Sequence, residues 1–460
     1  MLSPIRAAAC GLALLAVLAG CNDGGETTSS PADVRYAYVV VAANGQAIAR
    51  AITVATKCPA ISVDAIGPVP MTLRAAAATI PPRPTAYDPK NTIPADFPVT
   101  TCDHPLPAGA ARATIGDRVL PMPKARAQRI LLIGDTGCRM KSTDNLYQAC
   151  NDLAQWPFKP IAEVAASLAP DLVIHVGDYH YRETACPAPY GCSTSPYGFS
   201  WSSWEPDFFA PAQALFRAAP WVLVRGDHET CDRGGQGWWR MLDPRPLASP
   251  QDCNLAANDA IGDYSAPYVV PLDEDSAVAV FDSGIVGTKA LKKDDPQFVT
   301  YRGQLTQVFA LTRPYKHAFF MNHQPILGYN SDQSTAAQPG NEALQSVLQD
   351  IVPGVLFPPN VAAVLSGHVH MMQIVTYATA QPPIFIPGNG GTELVPAFTT
   401  FPKDKTPLAG ATVASFLQSA TFGFMMLERS GTGWTVKAYD SVGRLLHTCP
   451  IAGAGTACVS

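Results

Sequence analysis

Residues Ala362–His370 read AAVLSGHVH. The apolar run Val361–Leu365 has the character of a buried strand; it breaks at Ser366-Gly367, and two histidines, His368 and His370, follow. Neighbouring positions of an extended chain point to opposite faces, while positions two apart share one. A Gly-His-x-His at a strand end therefore aims both imidazoles into one space, where they can hold two adjacent metal ions. One such pair is only suggestive. Four earlier apolar runs end in the same manner.

Ile133 is followed by Gly134-Asp135-Thr136-Gly137, and Val176 by Gly177-Asp178-Tyr179-His180-Tyr181. Val224-Arg225 leads into Gly226-Asp227-His228-Glu229, and Met321 into Asn322-His323. In open α/β sheets, functional groups gather just beyond the carboxyl ends of strands. Carboxylates and neutral imidazoles are the ligands that suit zinc, iron and manganese. A preceding glycine lets the backbone turn sharply, so the next side chain projects into the cleft. Taken singly, a Gly-Asp after a strand is more often a turn or helix cap, and a lone strand histidine is more often a core residue. Five in this order point to a dinuclear metal site.

The surrounding chain alternates strands with helices. Strands are expected at Arg129–Ile133, Leu172–Val176, Trp221–Val224, Ala277–Phe281, Ala318–Met321, Val361–Leu365 and Pro383–Ile386, with a closing hairpin of Phe422–Glu428 and Trp434–Tyr439. Helices are expected at Lys159–Leu168, with Pro160 in its first turn, and at Ala212–Ala218, Gln304–Leu311 and Glu342–Ile351. This alternation predicts a layered α/β domain over residues 127–447. Residues 34–126 differ: short strands at Tyr36–Val41, Ala47–Ala55 and Met71–Arg74 are separated by frequent prolines. They read as a small β-rich accessory segment with Pro121–Lys124 as the linker out, and residues 448–460 as a C-terminal tail.

The ordered set of five strand ends resembles the calcineurin-like metallophosphoesterase superfamily, over roughly residues 128–440. The resemblance implies a layered β-sandwich flanked by helices. Two details resemble the purple acid phosphatase branch: Gly137 stands where many members carry a histidine ligand, and Tyr181 completes a GDxxY whose tyrosine binds ferric iron. Carried over by position, Asp135, Asp178, Tyr181 and His370 would hold the first metal. Asp178 would bridge to the second, held further by Asp227, His323 and His368. His228 would be the catalytic residue outside the coordination sphere, bonded to the phosphate or protonating the leaving group. The implied cofactors are two ions, iron with zinc, manganese or a second iron. The implied reaction is hydrolysis of a small-molecule phosphate monoester by attack of a metal-activated water. A phosphodiesterase or nucleotidase with the same site, and a catalytically weak surface binding lipoprotein, stay open as alternatives. The family usually has asparagine where this chain has Asp227; the carboxylate adds a negative charge that weakens the metal's Lewis acidity and repels phosphate.

Other candidates are weaker. His175, in the strand before Asp178, reads as core packing or support. His180 lies between two ligands and is a candidate substrate contact, and Asn322 is placed to orient His323. Two insertions follow metal motifs. Residues 182–207 carry Cys186, Tyr190, Cys192, Tyr197, Trp201 and Trp204, and residues 232–259 carry Trp238 and Trp239. They are expected to overhang the cleft, either as aromatic walls for a leaving group or as packing; Arg233 and Arg240 are candidate phosphate contacts.

The chain has 460 residues, 47% hydrophobic and 15% charged, with a net charge of −5. No basic run marks a nucleic-acid partner. At the N-terminus, Arg6 precedes the apolar run Ala7–Ala19, too short to span a bilayer as a mature helix. Leu18-Ala19-Gly20-Cys21 resembles the lipobox of bacterial lipoproteins. It implies a signal peptide over 1–20, a lipid-carrying Cys21 that anchors the chain to a membrane, and an exported periplasmic protein, placed at the outer membrane. Residues 21–33 read as a flexible tether. Of 12 cysteines, Cys10 leaves with the signal and Cys21 takes lipid. The remaining ten suggest disulfides in an oxidising compartment, and simple neighbour spacing suggests 58–102, 138–150, 186–192, 231–253 and 449–458. A cysteine metal site competes, without a CxxC to support it.

Overall fold

The computed structural model describes residues 28–330, 338–399, 408, 410–452 and 456–459. Two sheets carry the fold. The first has ten strands in the spatial order Leu445–Pro450, Gly433–Asp440, Gly423–Ser430, Arg129–Ile133, Leu172–His175, Trp221–Leu223, Val34–Val41, Ala47–Thr53, Thr100–Pro105 and Thr72–Ala75. The second has seven: Tyr268–Pro271, Ser276–Val280, His317–Met321, Val361–Leu365, Ile384–Pro387, Met372–Tyr377 and Val413–Ser419. The strands that lead into the five motifs pair in parallel within each sheet. Parallel neighbours put their carboxyl ends on one edge, so the motifs emerge side by side.

Side-chain alternation along these strands builds the layers. Ile130 and Leu132, with Ile174, Val222 and Val224, face the second sheet's Val278, Val280, Phe319, Met321, Ala363 and Leu365 in one buried cluster. Their neighbours Leu131, Ile133, Val173, Trp221 and Leu223 face the other way, onto Ile161, Ala162 and Ala165 of the helix Phe158–Ser167 and Leu215 of Gln213–Ala218. The outer face of the second sheet is covered likewise by Pro296–Thr312 and Glu342–Ile351. Helix, sheet, sheet, helix is the layered sandwich expected.

Several elements differ from the sequence reading. The helix expected at Gln304–Leu311 starts at Pro296, whose ring suits a first turn. Its buried Phe298, Tyr301, Leu305, Val308 and Phe309 form a helical stripe that Gly303 and the polar residues between obscure. The segment 34–126 is β-rich but does not stand apart. Val34–Val41 pairs in parallel with the Trp221 strand at Val40, so four of its strands extend the first sheet. Leu445–Pro450 runs through residue 447 as that sheet's opposite edge. Of the expected tether, Pro31–Asp33 forms a single 3-10 turn, and the Ser29 N–H donates to the Cys58 carbonyl. The expected signal peptide 1–20 and Cys21 lie outside the described residues. All five disulfides expected from spacing form, which uses every described cysteine and removes the cysteine metal site. Among the described residues, no helix is long and apolar enough to cross a membrane.

Candidate metal centre

The five strand ends meet at one point between the two sheets. Asp178, Asp227, His323 and His368 each offer a ligand atom within 4.8 Å of the others, and so do Asp135, Asp178 and His370. Asp178 belongs to both groups. The Tyr181 hydroxyl donates to Asp178 Oδ2 at 2.5 Å and lies 2.8 Å from His370 Nε2 and 3.5 Å from Asp135 Oδ1. Every ligand candidate named from the sequence is therefore gathered, in two clusters joined by one carboxylate.

The backbone is bent to achieve this. Asp135, Asp178 and His368 adopt left-handed conformations with φ of 53°, 58° and 70°. Asp and His visit this region more readily than other non-glycine residues, and such strain concentrates at functional sites. Gly226 is required for closeness: a Cβ there would overlap the Asp178 carboxylate and backbone.

Each imidazole is oriented by what its far side meets. His323 Nδ1 sits 2.9 Å from the Val176 carbonyl, which turns Nε2 toward Asp178 Oδ2 and Asp227 Oδ1, both at 3.1 Å. His370 Nδ1 is 3.0 Å from the Glu393 carbonyl, leaving Nε2 for the first cluster. Carbonyl partners of this kind set the tautomer of a metal-ligating histidine. His368 instead turns Nδ1 to Asp227 Oδ1 at 3.0 Å. Asn322, expected to orient His323, bonds Gln324 and Ser366 instead.

The electrostatics are those of crowded anions out of water. Burial pushes the Asp135 carboxyl well above the usual range, and the charges of Asp178 and Asp227 push it further. Burial pushes Asp178 the same way, but the His323 charge and hydrogen bond, with the His228 charge, together outweigh it and the group stays depressed. Asp227 is also depressed, because hydrogen bonds from His323 and His368 together with nearby positive charge exceed the cost of burial. Burial opposes a charge on His323, yet Asp178 holds its proton on well above the usual histidine range. Burial, helped by Arg139, pushes His370 down to about 3. Carboxylate oxygens and imidazole nitrogens converging around one shared carboxylate are the donor set that two hard-to-borderline cations require, so the residues fit a dinuclear centre.

Three supports were given no role in the sequence reading. Glu229 accepts the N–H groups of Asp178, Tyr179, His180 and Gly226 at 2.9–3.2 Å, clamping two ligand loops together. Burial pushes its carboxyl up to about 8. Asp207 accepts the N–H groups of Cys138 and Tyr181, each at 2.7 Å, which ties the first motif to the second. Arg139 and Lys141 line the open cleft and share Asp144. Glu229 follows a quoted motif directly and was within reach of the sequence; Asp207 and the cation pair carry no local signal.

The cleft has a volume of about 480 Å³ and is lined by Arg139, Lys141, Asp144, Asp178, Tyr181, Asp227, His228, His368, His370 and Val395. It corrects four expectations. His180 does not reach it: the ring is buried between Phe199 and Trp204, 3.1 Å from Ser203 Oγ. Trp201, Trp204, Trp238 and Trp239 are buried in the cluster behind the first sheet and form no cleft wall. Arg240 bonds the Ala76 carbonyl, away from the site. Arg233 is 4% exposed and is engaged with Asp227 and Glu183. His175 supports the site as expected, with Nε2 3.0 Å from Thr136 Oγ1.

Residues 128–372, more than half of the chain, match the model of the calcineurin-like phosphoesterase family. The chain belongs to that family and is a metal-dependent phosphoric ester hydrolase. Among solved structures, it is similar to a purple acid phosphatase from yellow lupin (Lupinus luteus) seeds, at 14% identity and a TM-score of 0.55, covering 90% of this chain and 73% of that one. It is also similar to PhoD, at 11% identity and a TM-score of 0.50, covering 92% and 91%. No curated protein sequence matches the chain.

Proposed function

We propose that this protein hydrolyses phosphate monoesters in the manner of an acid phosphatase, using iron in the Tyr181 cluster and zinc, manganese or a second iron in the other. The observation that carries this reading is Asp178, shared between the two clusters with the Tyr181 phenol 2.5 Å away. When bound, two ions supply Lewis acidity toward phosphoryl oxygens and a water of lowered pKa. The residues of the chain do the rest. Asp135, Tyr181 and His370 would hold one ion and Asp227, His323 and His368 the other, with Asp178 common to both. Arg139 and Lys141, at the rim, attract the ester's phosphate and hold its orientation.

His228 lines the same cleft, its ring centroid 3.7 Å from that of Tyr181. Burial and the adjacent Arg233 hold its proton affinity well below the ordinary histidine range. A neutral imidazole N–H suits a hydrogen bond to phosphate or to the leaving oxygen better than full proton transfer. The chain is further proposed to be exported and anchored through lipid on Cys21, a reading supported by Leu18-Ala19-Gly20-Cys21 alone.

The test is hydrolysis of p-nitrophenyl phosphate against bis(p-nitrophenyl) phosphate, before and after chelation. Chelator-sensitive turnover that favours the monoester is expected. Preference for the diester replaces the monoester reading, and no turnover in a folded, metal-loaded sample removes both. Iron-loaded protein is expected to be coloured by a tyrosinate–ferric band that Tyr181→Phe abolishes. A colourless iron-loaded protein removes Tyr181 as a ligand.

A further inference from the structure

Asp227 does not face the metal site with its whole charge. Its Oδ1 is turned to His323 Nε2 at 3.1 Å and His368 Nδ1 at 3.0 Å. Its Oδ2 is 2.9 Å from Arg233 Nη1, which also lies 3.2 Å from the Asp227 carbonyl. The guanidinium is 4% exposed. It is held from behind by Glu183 Oε1, 2.7 Å from Nε and 2.6 Å from Nη2. Tyr87, from the N-terminal segment, lies beneath it at 4.6 Å. Arg233 Nη2 also sits 2.7 and 2.9 Å from the two ring nitrogens of His228.

We infer that Arg233 is a positioning residue that makes Asp227 act as a partly neutralised ligand. One carboxylate oxygen is kept for the metal and the other is offset in part by the guanidinium, which it shares with Glu183. This accounts for the aspartate where the family usually has asparagine. An asparagine would present its amide N–H groups to Arg233, donor against donor, whereas the carboxylate accepts from the fork. The charge that would otherwise repel an incoming phosphate is answered inside the protein. Arg233 therefore serves phosphate binding through Asp227, and does not touch the phosphate itself.

The inference rests on the metal-dependent reading above, and its test separates the two. Zinc is titrated calorimetrically into the metal-free full chain, and inorganic phosphate into the zinc-loaded chain, for wild type, Arg233→Gln, Asp227→Asn and the double variant. Arg233→Gln is expected to tighten zinc about tenfold, since a nearby positive charge is removed, and to weaken phosphate about tenfold. In the Asp227→Asn background, the same arginine change is expected to alter phosphate affinity by less than about threefold, because no ligand charge is left to neutralise. Equal phosphate losses in both backgrounds overturn the inference, as does unchanged or weakened zinc binding in Arg233→Gln. Wild type that binds no zinc overturns the metal-dependent reading instead. If Arg233→Gln does not fold, Glu183→Gln reads the same coupling with opposite sign. It frees the guanidinium for Asp227 and weakens zinc several-fold, and unaltered zinc affinity overturns the inference.

Discussion

Two buried polar clusters in this protein handle charge in opposite ways. In the N-terminal part, Asp103 is gripped by Arg50 Nε at 2.7 Å and Nη2 at 2.9 Å, and by Arg74 Nη1 at 3.1 Å. The same arginines reach the carbonyls of Trp239, Arg240, Met241, Asp243 and Arg245, so the cluster rivets the accessory strands to the second insertion. Its anion is matched by cations from the same chain. At the strand ends, Asp135, Asp178 and Asp227 crowd together with Tyr181 and three imidazoles, and Arg233 answers only Asp227. Removing charges from water is costly unless they are paired. A cluster that neutralises itself is an anchor. One that leaves anions in excess is a receptor for cations from outside.

The largest effect that tests this contrast is Asp178→Ala. It removes the carboxylate common to both clusters, so bound metal is lost. Turnover should fall at least about 10³-fold, since several kcal/mol of charge stabilisation disappears. Metal analysis with steady-state kinetics checks it; retention of two ions would show that Asp178 does not join the clusters.

Next comes Asp103→Asn, expected to cost about 3 kcal/mol in denaturant unfolding at pH 7, because Arg50 is left buried without its counter-charge. Burial pushes the Asp103 carboxyl up, but Arg50 and Arg74 together pull it below the ordinary value. A depressed carboxylate contributes stability above its unfolded pKa, about 4, and loses it as pH falls through the folded value. The difference between wild type and variant should therefore hold from pH 7 to about 4 and shrink below. A difference that persists undiminished into acid would mean the ion pair is not its source.

Chelation should cost about 2.7 kcal/mol for each ion lost, relative to protein at ion concentrations 100 times Kd. That loss should add to the Asp103→Asn loss, because the clusters share no partners. Strong non-additivity would merge the two regions into one unit. The smallest effect belongs to His228→Ala, expected to keep metal and to lose about tenfold in turnover of alkyl phosphates, with little change for aryl phosphates. Undiminished alkyl turnover removes the hydrogen bond to the leaving oxygen.

Much of the site was legible before any coordinates because its ligands follow local rules. A buried strand is an apolar run, a sharp exit needs Gly, and Asp or His comes next; all three marks are contiguous in sequence at Gly134-Asp135, Gly177-Asp178 and Gly226-Asp227. The cysteine pairs were legible for a similar reason: each joins neighbours in sequence. Tryptophan positions were misleading. Aromatic insertions beside a motif have the composition of a wall, but burial decides their role, and Trp204 and Trp238 fill the layer behind the first sheet. His180 was misread by its place between two ligands, since its side chain turns to the opposite side from that of Tyr181.

Residue order was enough for the layered class and for the candidate ligands at the strand ends, because alternation of apolar runs and the residues that end them are short-range properties. Only the tertiary structure decided how charge is shared. Glu229 clamps loops from Asp178 and Gly226, Arg139 reaches His370 across 231 positions of sequence, and Arg233 answers Asp227 while leaning on Glu183, 50 residues earlier, and on Tyr87. Electrostatic pairing in a buried site depends on distance through space and exclusion of water, and neither is written in the order of the residues.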